Sequence, residues 1–454
     1  MWTYIENENI EEYINTHPKL EEFWNLYSLA NNEQITFLPR YFNINFPSKH
    51  LINYAGQKKG HVEYLEDAKL KKNLKLRPKQ QEAFDTVSKL YESNKFVNGI
   101  LKLPTGSGKT VLAIYMAIKF KIKTAIIVNN KKLLKQWITA ILEYTNLTEQ
   151  DIGLIAQQIV SYKNKKIIMC MSQTLSSKMK SSISKIFNNV DAAGIGLVFF
   201  DEVHTASAAE LNAKVSLLFR TKNVIGLSAT PFHITYQDIL MKNTIGNIIF
   251  ESNEYPVVPN CYIQYFDSKL TKYKYIYKIS DFIKQRAMYN KFIVNSESYF
   301  DSIIDVVNQM RANNEDPQIL IIAMTLNQID LISGKLTEHN LDHEILTGAH
   351  SEISETCNII VGTYKFCNAG LDIPRLNCLL LATPLSGKKS YLQTSGRILR
   401  SYATKNKATV VSLFDSCFMN MFIPDIERIR RIIATEHSIE LQFDYLQNSV
   451  KLQE

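Results

Sequence analysis

The residues LPTGSGKT at 103–110 have the types and spacing that bind a polyphosphate. Gly106 and Gly108 permit a tight backbone path. The N–H groups of Thr105, Gly106, Ser107 and Gly108 can then converge on an anion at a helix start, where partial positive charge favours it. Lys109 sets a cation against the terminal phosphates, and Thr110 offers a hydroxyl to Mg²⁺. A second constellation, DEVH at 201–204, closes the apolar run GLVFF. Asp201 is placed to hold Mg²⁺ through water, and Glu202 to orient and deprotonate an attacking water. His204 either relays onward from Glu202 or caps the turn locally. ATP and Mg²⁺ are the cofactors these two motifs imply.

Such motifs work only if strands and helices present them. Short apolar runs recur after residue 97: GILKLP (99–104), TAIIVN (124–129), KIIMCM (166–171), GLVFFDE (196–202) and NVIGLSAT (223–230). A second series follows, with QILIIAM (318–324), CNIIVGT (357–363), NCLLLAT (377–383) and ATVVSLFD (408–415). Continuous apolar runs of this length fit parallel strands covered on both faces. Helical spacing lies between them, in VLAIYMAIKF (111–120) and YFDSIIDVVNQM (299–310). The expected fold is α/β, with two consecutive parallel-sheet units. The stretch 233–280 reads as a connector with some strand character.

Upstream, residues 1–33 carry seven Glu against Lys19 alone, and the balance reverses over 34–79. That switch predicts a small N-terminal α+β domain over 1–72, with an acidic helical start and a basic second half. The two larger domains are expected at 73–255 and 256–454, and the ATPase core is expected to need nothing upstream of Leu76. The segment FLPRYFNINFPSKHLINY (37–54) interleaves aromatics with Arg40, Lys49 and His50. It suits base stacking beside phosphate contacts, or equally the aromatic core of a small domain.

With the phosphate loop and DEVH in place, the remaining segments resemble, in order, the motifs of helicase superfamily two. LRPKQ (76–80) resembles the adenine-recognition motif, which implies that Gln80 and Arg77 contact the base. IIVNNKKLLKQW (126–137) and SQTL (172–175) look like strand-gripping motifs, and SAT (228–230) like the motif coupling hydrolysis to movement. GTYKFCNAGLDIPRL (362–376) and QTSGRILR (393–400) resemble motifs V and VI. The resemblance implies two tandem RecA-like domains with one ATPase site between them. Arg397 and Arg400 lie three apart, on one face of a helix, and would meet phosphate charge when the domains close. DEVH and Gln393 depart from the DEAD-box RNA helicases. The likeness is greatest to UvsW-type phage recombination helicases, with XPB- and RecG-like motors as wider relatives. It implies remodelling of branched DNA, in a phage case within the cytoplasm of a bacterial host. A DNA-translocating subunit of a restriction or nuclease assembly and an RNA helicase are the alternatives.

Composition agrees with a nucleic-acid partner. A net charge of +8 and pI near 8.9 favour a polyanion. Lys131, Lys132, Lys135, Thr363, Lys388 and Lys389 are the candidate backbone contacts, though any one lysine can be solvated surface. The helix carrying RIRRII (428–433) is expected to have a solvated basic face. Six cysteines form no CxxC pair. They read as free thiols in a reducing compartment, with no metal cluster. With no signal-like N-terminus and no apolar run of about 20 residues, the expectation is a cytoplasmic protein without a membrane partner.

Overall fold

The computed structural model describes residues 3–6, 35–38, 52–53, 62–71, 74–203, 211–254 except 213–214, 217, 220, 230, 232–240 and 243, 259–347 except 315, and 353–436 except 355, 365–372, 374, 397 and 399–407. Two compact units divide the chain near residue 252.

In the first unit, β1 (Thr3–Glu6) pairs antiparallel with β2 (Ile35–Leu38) and β3 (Ile52–Asn53). Residues 7–34, over which most of the acidic helical start was expected, lie outside the described residues. The rest of the segment 37–54 lies outside the described residues.

Then follow α1 (Pro78–Asn94), β4 (Asn98–Lys102), α2 (Lys109–Phe120), β5 (Thr124–Val128), α3 (Lys131–Tyr144), β6 (Ile152–Ala156), β7 (Ile159–Ser161), β8 (Ile167–Met171), α4 (Ser172–Ala192), β9 (Leu197–Asp201), β10 (Asn223–Ser228) and β11 (Ile248–Glu251). These eight strands form one sheet in the order β11-β4-β10-β9-β5-β8-β6-β7, parallel except for the β6–β7 hairpin. Side chains alternate between two cores. Leu197 and Phe199 of β9 join one, while Val198 and Phe200 join the other. Burial on both faces is why the strands read as unbroken apolar runs.

The second unit runs β12 (Pro259–Phe266), a 3₁₀ segment Thr271–Lys278, α5 (Phe282–Phe292), α6 (Glu297–Asn313), β13 (Ile319–Ala323), α7 (Leu326–Glu338), β14 (Glu344–Leu346), β15 (Ile359–Thr363), β16 (Cys378–Leu381), α8 (Lys388–Ser395), β17 (Ala408–Asp415) and α9 (Met419–Glu436). Its six strands are all parallel, in the order β12-β17-β16-β13-β15-β14. The connector stretch 233–280 therefore supplies two edge strands, β11 and β12, one to each sheet.

Residues upstream of Leu76 belong to the first unit's core, contrary to expectation. Leu65 and Ala68 are buried in it. Glu63 donates its N–H to Gly194 O at 3.0 Å, and Leu65 donates to Lys121 O at 2.8 Å. The Lys123 ammonium, on a side chain only 1% exposed, meets Glu63 Oε2 at 2.6 Å. Residues 62–71 act as a strap across the sheet's rim.

Candidate functional site

The loop 103–108 joins the carboxyl end of β4 to α2. Gly106 and Gly108 have φ of +83° and +82°, in the left-handed region that glycine adopts freely. A Cβ on Gly108 would come within 2.4 Å of Gln80 Nε2. A side chain there would therefore have to push the Gln80 amide off the loop, in addition to the strain of the backbone angle.

Lys109 is the first residue of α2 and is buried. Its ammonium donates to Leu103 O at 3.1 Å and to Pro104 O at 3.2 Å. Both hydrogen-bond partners are neutral carbonyls, and the Lys109 charge is also felt at the Asp201 carboxyl. Thr110 follows on the helix, half-buried.

Asp201 is the last residue of β9, and Glu202 turns the chain away with a φ of +51°. A side chain in that region is strained, as is frequent where a group must be aimed at a ligand. Strands β4 and β9 are separated in the sheet by β10, which sets their carboxyl ends roughly 10 Å apart. Asp201 is buried, and burial pushes its carboxyl above the usual carboxylate range. The neighbouring Glu202 charge adds to that rise, while a hydrogen bond from Trp137 and the Lys109 charge oppose it. Two adjacent acids in a buried place are relieved by a cation. The donor set thus fits Mg²⁺ held by Asp201 and Thr110.

Trp137 is the partner that sequence reasoning missed. Its indole N–H donates to Asp201 Oδ2 at 2.8 Å across 64 positions of chain. On α3 it sits among the buried Leu134 and Ile141 and reads as a core residue. The signal was its polar edge, since a buried indole N–H needs an acceptor. The same helix begins with Asn130, whose side chain accepts from Leu133 N at 2.8 Å. It carries Lys131 and Lys135 exposed, one turn apart.

Gln80, expected on the base, faces the phosphate loop. Its Oε1 accepts from Arg77 N–H at 2.8 Å and its Nε2 donates to Gly108 O at 3.1 Å. Arg77 is exposed beside it. Ser228, the first residue of SAT, ends β10, and its carbonyl accepts from Leu103 N–H at 2.9 Å. The backbones of the phosphate loop and that motif are therefore joined directly. Ser172 of SQTL donates to Asn129 Oδ1 at 2.8 Å, beside the capping Asn130. His204, Thr230, Arg397 and Arg400 lie outside the described residues, as does the Gln393 side chain. Of motif V, Gly362 and Thr363 end β15.

On α9, Arg428 meets Asp425 at 2.6 Å, and Arg431 lies 3.9 Å from Glu427. Two of the three arginines of RIRRII are thus engaged within their own helix. Cys170, Cys261 and Cys378 are buried free thiols. No group of three metal-ligating side chains occurs among the described residues, nor any helix long and apolar enough to cross a membrane.

Residues 73–233 match the family model of the type III restriction enzyme res subunit. The chain is 29% identical over 353 residues to a candidate ATP-dependent RNA helicase of Acanthamoeba polyphaga mimivirus, covering 75% of this chain and 64% of that protein. It is 27% identical over 359 residues to a candidate helicase of Invertebrate iridescent virus 6, covering 71% and 72%. To the DNA 3'-5' helicase XPB of Kineococcus radiotolerans it is 24% identical over 388 residues, covering 81% and 64%. The chain spans less than two thirds of the length of the mimivirus and Kineococcus proteins. Among solved structures, S. cerevisiae Dbp5 bound to RNA and ADP BeF3 superposes with a TM-score of 0.53 at 14% identity, covering 79% of this chain and 88% of that one. The chain is related to the superfamily-two helicases, and its two parallel sheets have the RecA-like fold.

Proposed function

We propose that this chain is an ATP-driven nucleic-acid motor whose track is DNA and whose substrates are branched: forks, displacement loops and four-way junctions. The observation that carries the motor reading is the Trp137–Asp201 hydrogen bond. It ties the helix that offers Lys131 and Lys135 to a strand to the carboxylate that would hold the metal. A shift of α3 on a nucleic-acid backbone is thereby felt at the hydrolysis site.

In this reading the loop N–H groups and Lys109 hold the β- and γ-phosphates, and Thr110 and Asp201 hold Mg²⁺. The ion, when bound, neutralises charge on the phosphate oxygens. Glu202 takes a proton from water as its oxygen bonds to the γ-phosphorus and the bond to the bridging oxygen breaks, releasing ADP. Arg397 and Arg400 complete the charge from the second domain. Gln80 positions the loop through Gly108 and leaves base contact to Arg77. Lys388, Lys389 and Thr363 extend the track.

The branched-DNA specificity rests on the likeness to UvsW-type motors, and the name of the Kineococcus relative, a DNA 3'-5' helicase, supports only DNA as the track. The name of the mimivirus relative favours RNA instead, and the family model keeps a restriction-type translocase in view. ATPase stimulation, measured side by side with single strands, duplex, forks, four-way junctions and RNA, separates the three. Greater stimulation by forks and junctions than by single strands is expected. Stimulation by RNA alone, or by duplex without strand separation, would replace this reading with one of the others.

A further inference from the structure

The segment between β12 and α6 belongs to none of the motifs above, yet it carries an unusual surface. From 269 to 286 it holds Lys269, Lys272, Lys274, Lys278 and Lys284, all exposed, and Arg286, against Asp281 alone. None of the five lysines forms an ion pair among the described residues. The Asp281 charge is spent locally, because its side chain accepts from Ile283 N at 2.8 Å and Lys284 N at 3.1 Å at the start of α5. Arg286 is turned inward to Asp425. Four apolar side chains stand out among the lysines: Tyr275 (49% exposed), Tyr277 (37%), Phe282 (41%) and Ile283 (79%).

Local geometry explains the pattern. The 3₁₀ segment Thr271–Lys278 repeats every three residues, with a pitch of about 6 Å. Ile276 is buried, and Tyr273 stacks on Phe292 with centroids 4.5 Å apart. These two anchor one side. Lys272, Tyr275 and Lys278 then form one outward ridge, while Tyr277 leans on the buried Phe418 with ring centres 6.1 Å apart. That ridge alternates a cation with an aromatic ring.

Position gives a second, independent argument. The segment leaves the carboxyl end of β12, whose neighbour β17 ends in register with it, Phe266 opposite Asp415. In an open parallel sheet, ligands bind outside the carboxyl ends of the strands. The turn after β13, with Met324 and Leu326 exposed, opens on this edge, as does Thr363 at the end of β15. From β15 to β12 is four strand spacings, roughly 19 Å, a length a few nucleotides can follow.

We propose that this ledge binds single-stranded nucleic acid, with Tyr275 stacking a base and Lys272 and Lys278 meeting the flanking phosphates. The inference rests on the motor reading and deepens it, by naming a track surface outside the helicase motifs. An acidic peptide would satisfy the lysines but leave the exposed rings without a role; a nucleic acid uses both.

Binding of the full chain to oligo-dT and oligo-rU is to be followed by fluorescence anisotropy across a salt series. Tyr275→Ala should weaken binding about 5- to 100-fold, the loss expected for one stacked base. Lys272→Ala with Lys278→Ala should lower the salt slope by about 1.4, as two single-strand phosphate contacts are lost. Lys89→Ala with Lys95→Ala, exposed on and just after α1, removes equal charge and should change the slope less. Light-induced cross-linking to an iodouracil-bearing strand should recover Tyr275. If the parent binds no nucleic acid, the motor reading falls and the ledge with it. If the parent binds and the ledge variants match it, or the Lys89/Lys95 variant shows the same change, only the ledge is refuted. Poly-glutamate binding the ledge as tightly as the oligonucleotides would assign it to an acidic protein instead.

Discussion

At the scale of single residues, the chemistry is concentrated in buried charged side chains gathered at the phosphate loop and the end of β9. Lys109 is buried against carbonyls and Asp201 beside Glu202, so a nucleotide phosphate with its cation would relieve both. Glu202→Gln should retain ATP binding while losing turnover, because Asp201 and Lys109 remain and the base is gone. Single-turnover kinetics beside nucleotide affinity tests it; normal turnover would remove Glu202 from that role. Trp137→Phe keeps the buried ring and deletes only the donor to Asp201. It should lower nucleic-acid-stimulated kcat by roughly 10-fold or more, the weight of about 1.4 kcal/mol, with smaller loss in unstimulated hydrolysis. Equal loss in both would reduce Trp137 to a support of the active site. Legibility differs between these residues for a physical reason. Lys109 and Asp201 sit in motifs only a few residues long. The Trp137–Asp201 contact exists only once α3 and β9 are packed, and no local spacing encodes it.

Elements were legible in proportion to how fully they are buried. Strands covered on both faces, such as β5, β8 and β9, are unbroken apolar runs and stand where the sequence predicts them. The hairpin strand β7 is exposed along two of its three residues, and β14 is a three-residue edge strand. Neither has an apolar run to announce it. The ion pairs of α9 were equally hidden, since Asp425 meets both Arg428 one turn on and Arg286 of α5. Asp425 is 1% exposed, and the Arg286 guanidinium also lies 4.4 Å from the Phe422 ring centre. Asp425→Ala would leave that cation buried beside aromatic rings without a counter-charge, a loss of about 3–5 kcal/mol. Thermal melting with hydrogen exchange resolved over α5 and α9 measures it. Unchanged protection of both helices would show that Phe422 alone suffices to hold Arg286.

At the scale of the whole molecule, the strap 62–71 decides where the chain can be shortened. We expect removal of residues 1–61 to preserve ATPase activity on single strands and to impair fork and junction processing. Cutting further, before Lys69, takes away Glu63, Leu65 and Ala68. It strands the Lys123 ammonium and opens a core cavity, and should cost about 2–5 kcal/mol in the first unit. Comparing urea midpoints and junction assays for the two truncations separates support from function. Full junction activity after the shorter cut would leave the first 61 residues without a part in substrate choice.

The strand order has a consequence for how the protein is made. Strand β4, which presents the phosphate loop, lies between β10 and β11 and pairs with no other strand of its sheet. Its first partner begins at Asn223, roughly 120 residues after β4 has left the ribosome. At ~5–20 residues per second that delay is roughly 6–24 s. Throughout it, an apolar strand has both edges unpaired. A nascent chain halted before β10 therefore has no nucleotide pocket to fill and is a natural client for a chaperone. ATP can begin to stabilise this protein only after the ribosome has passed the codons for β10.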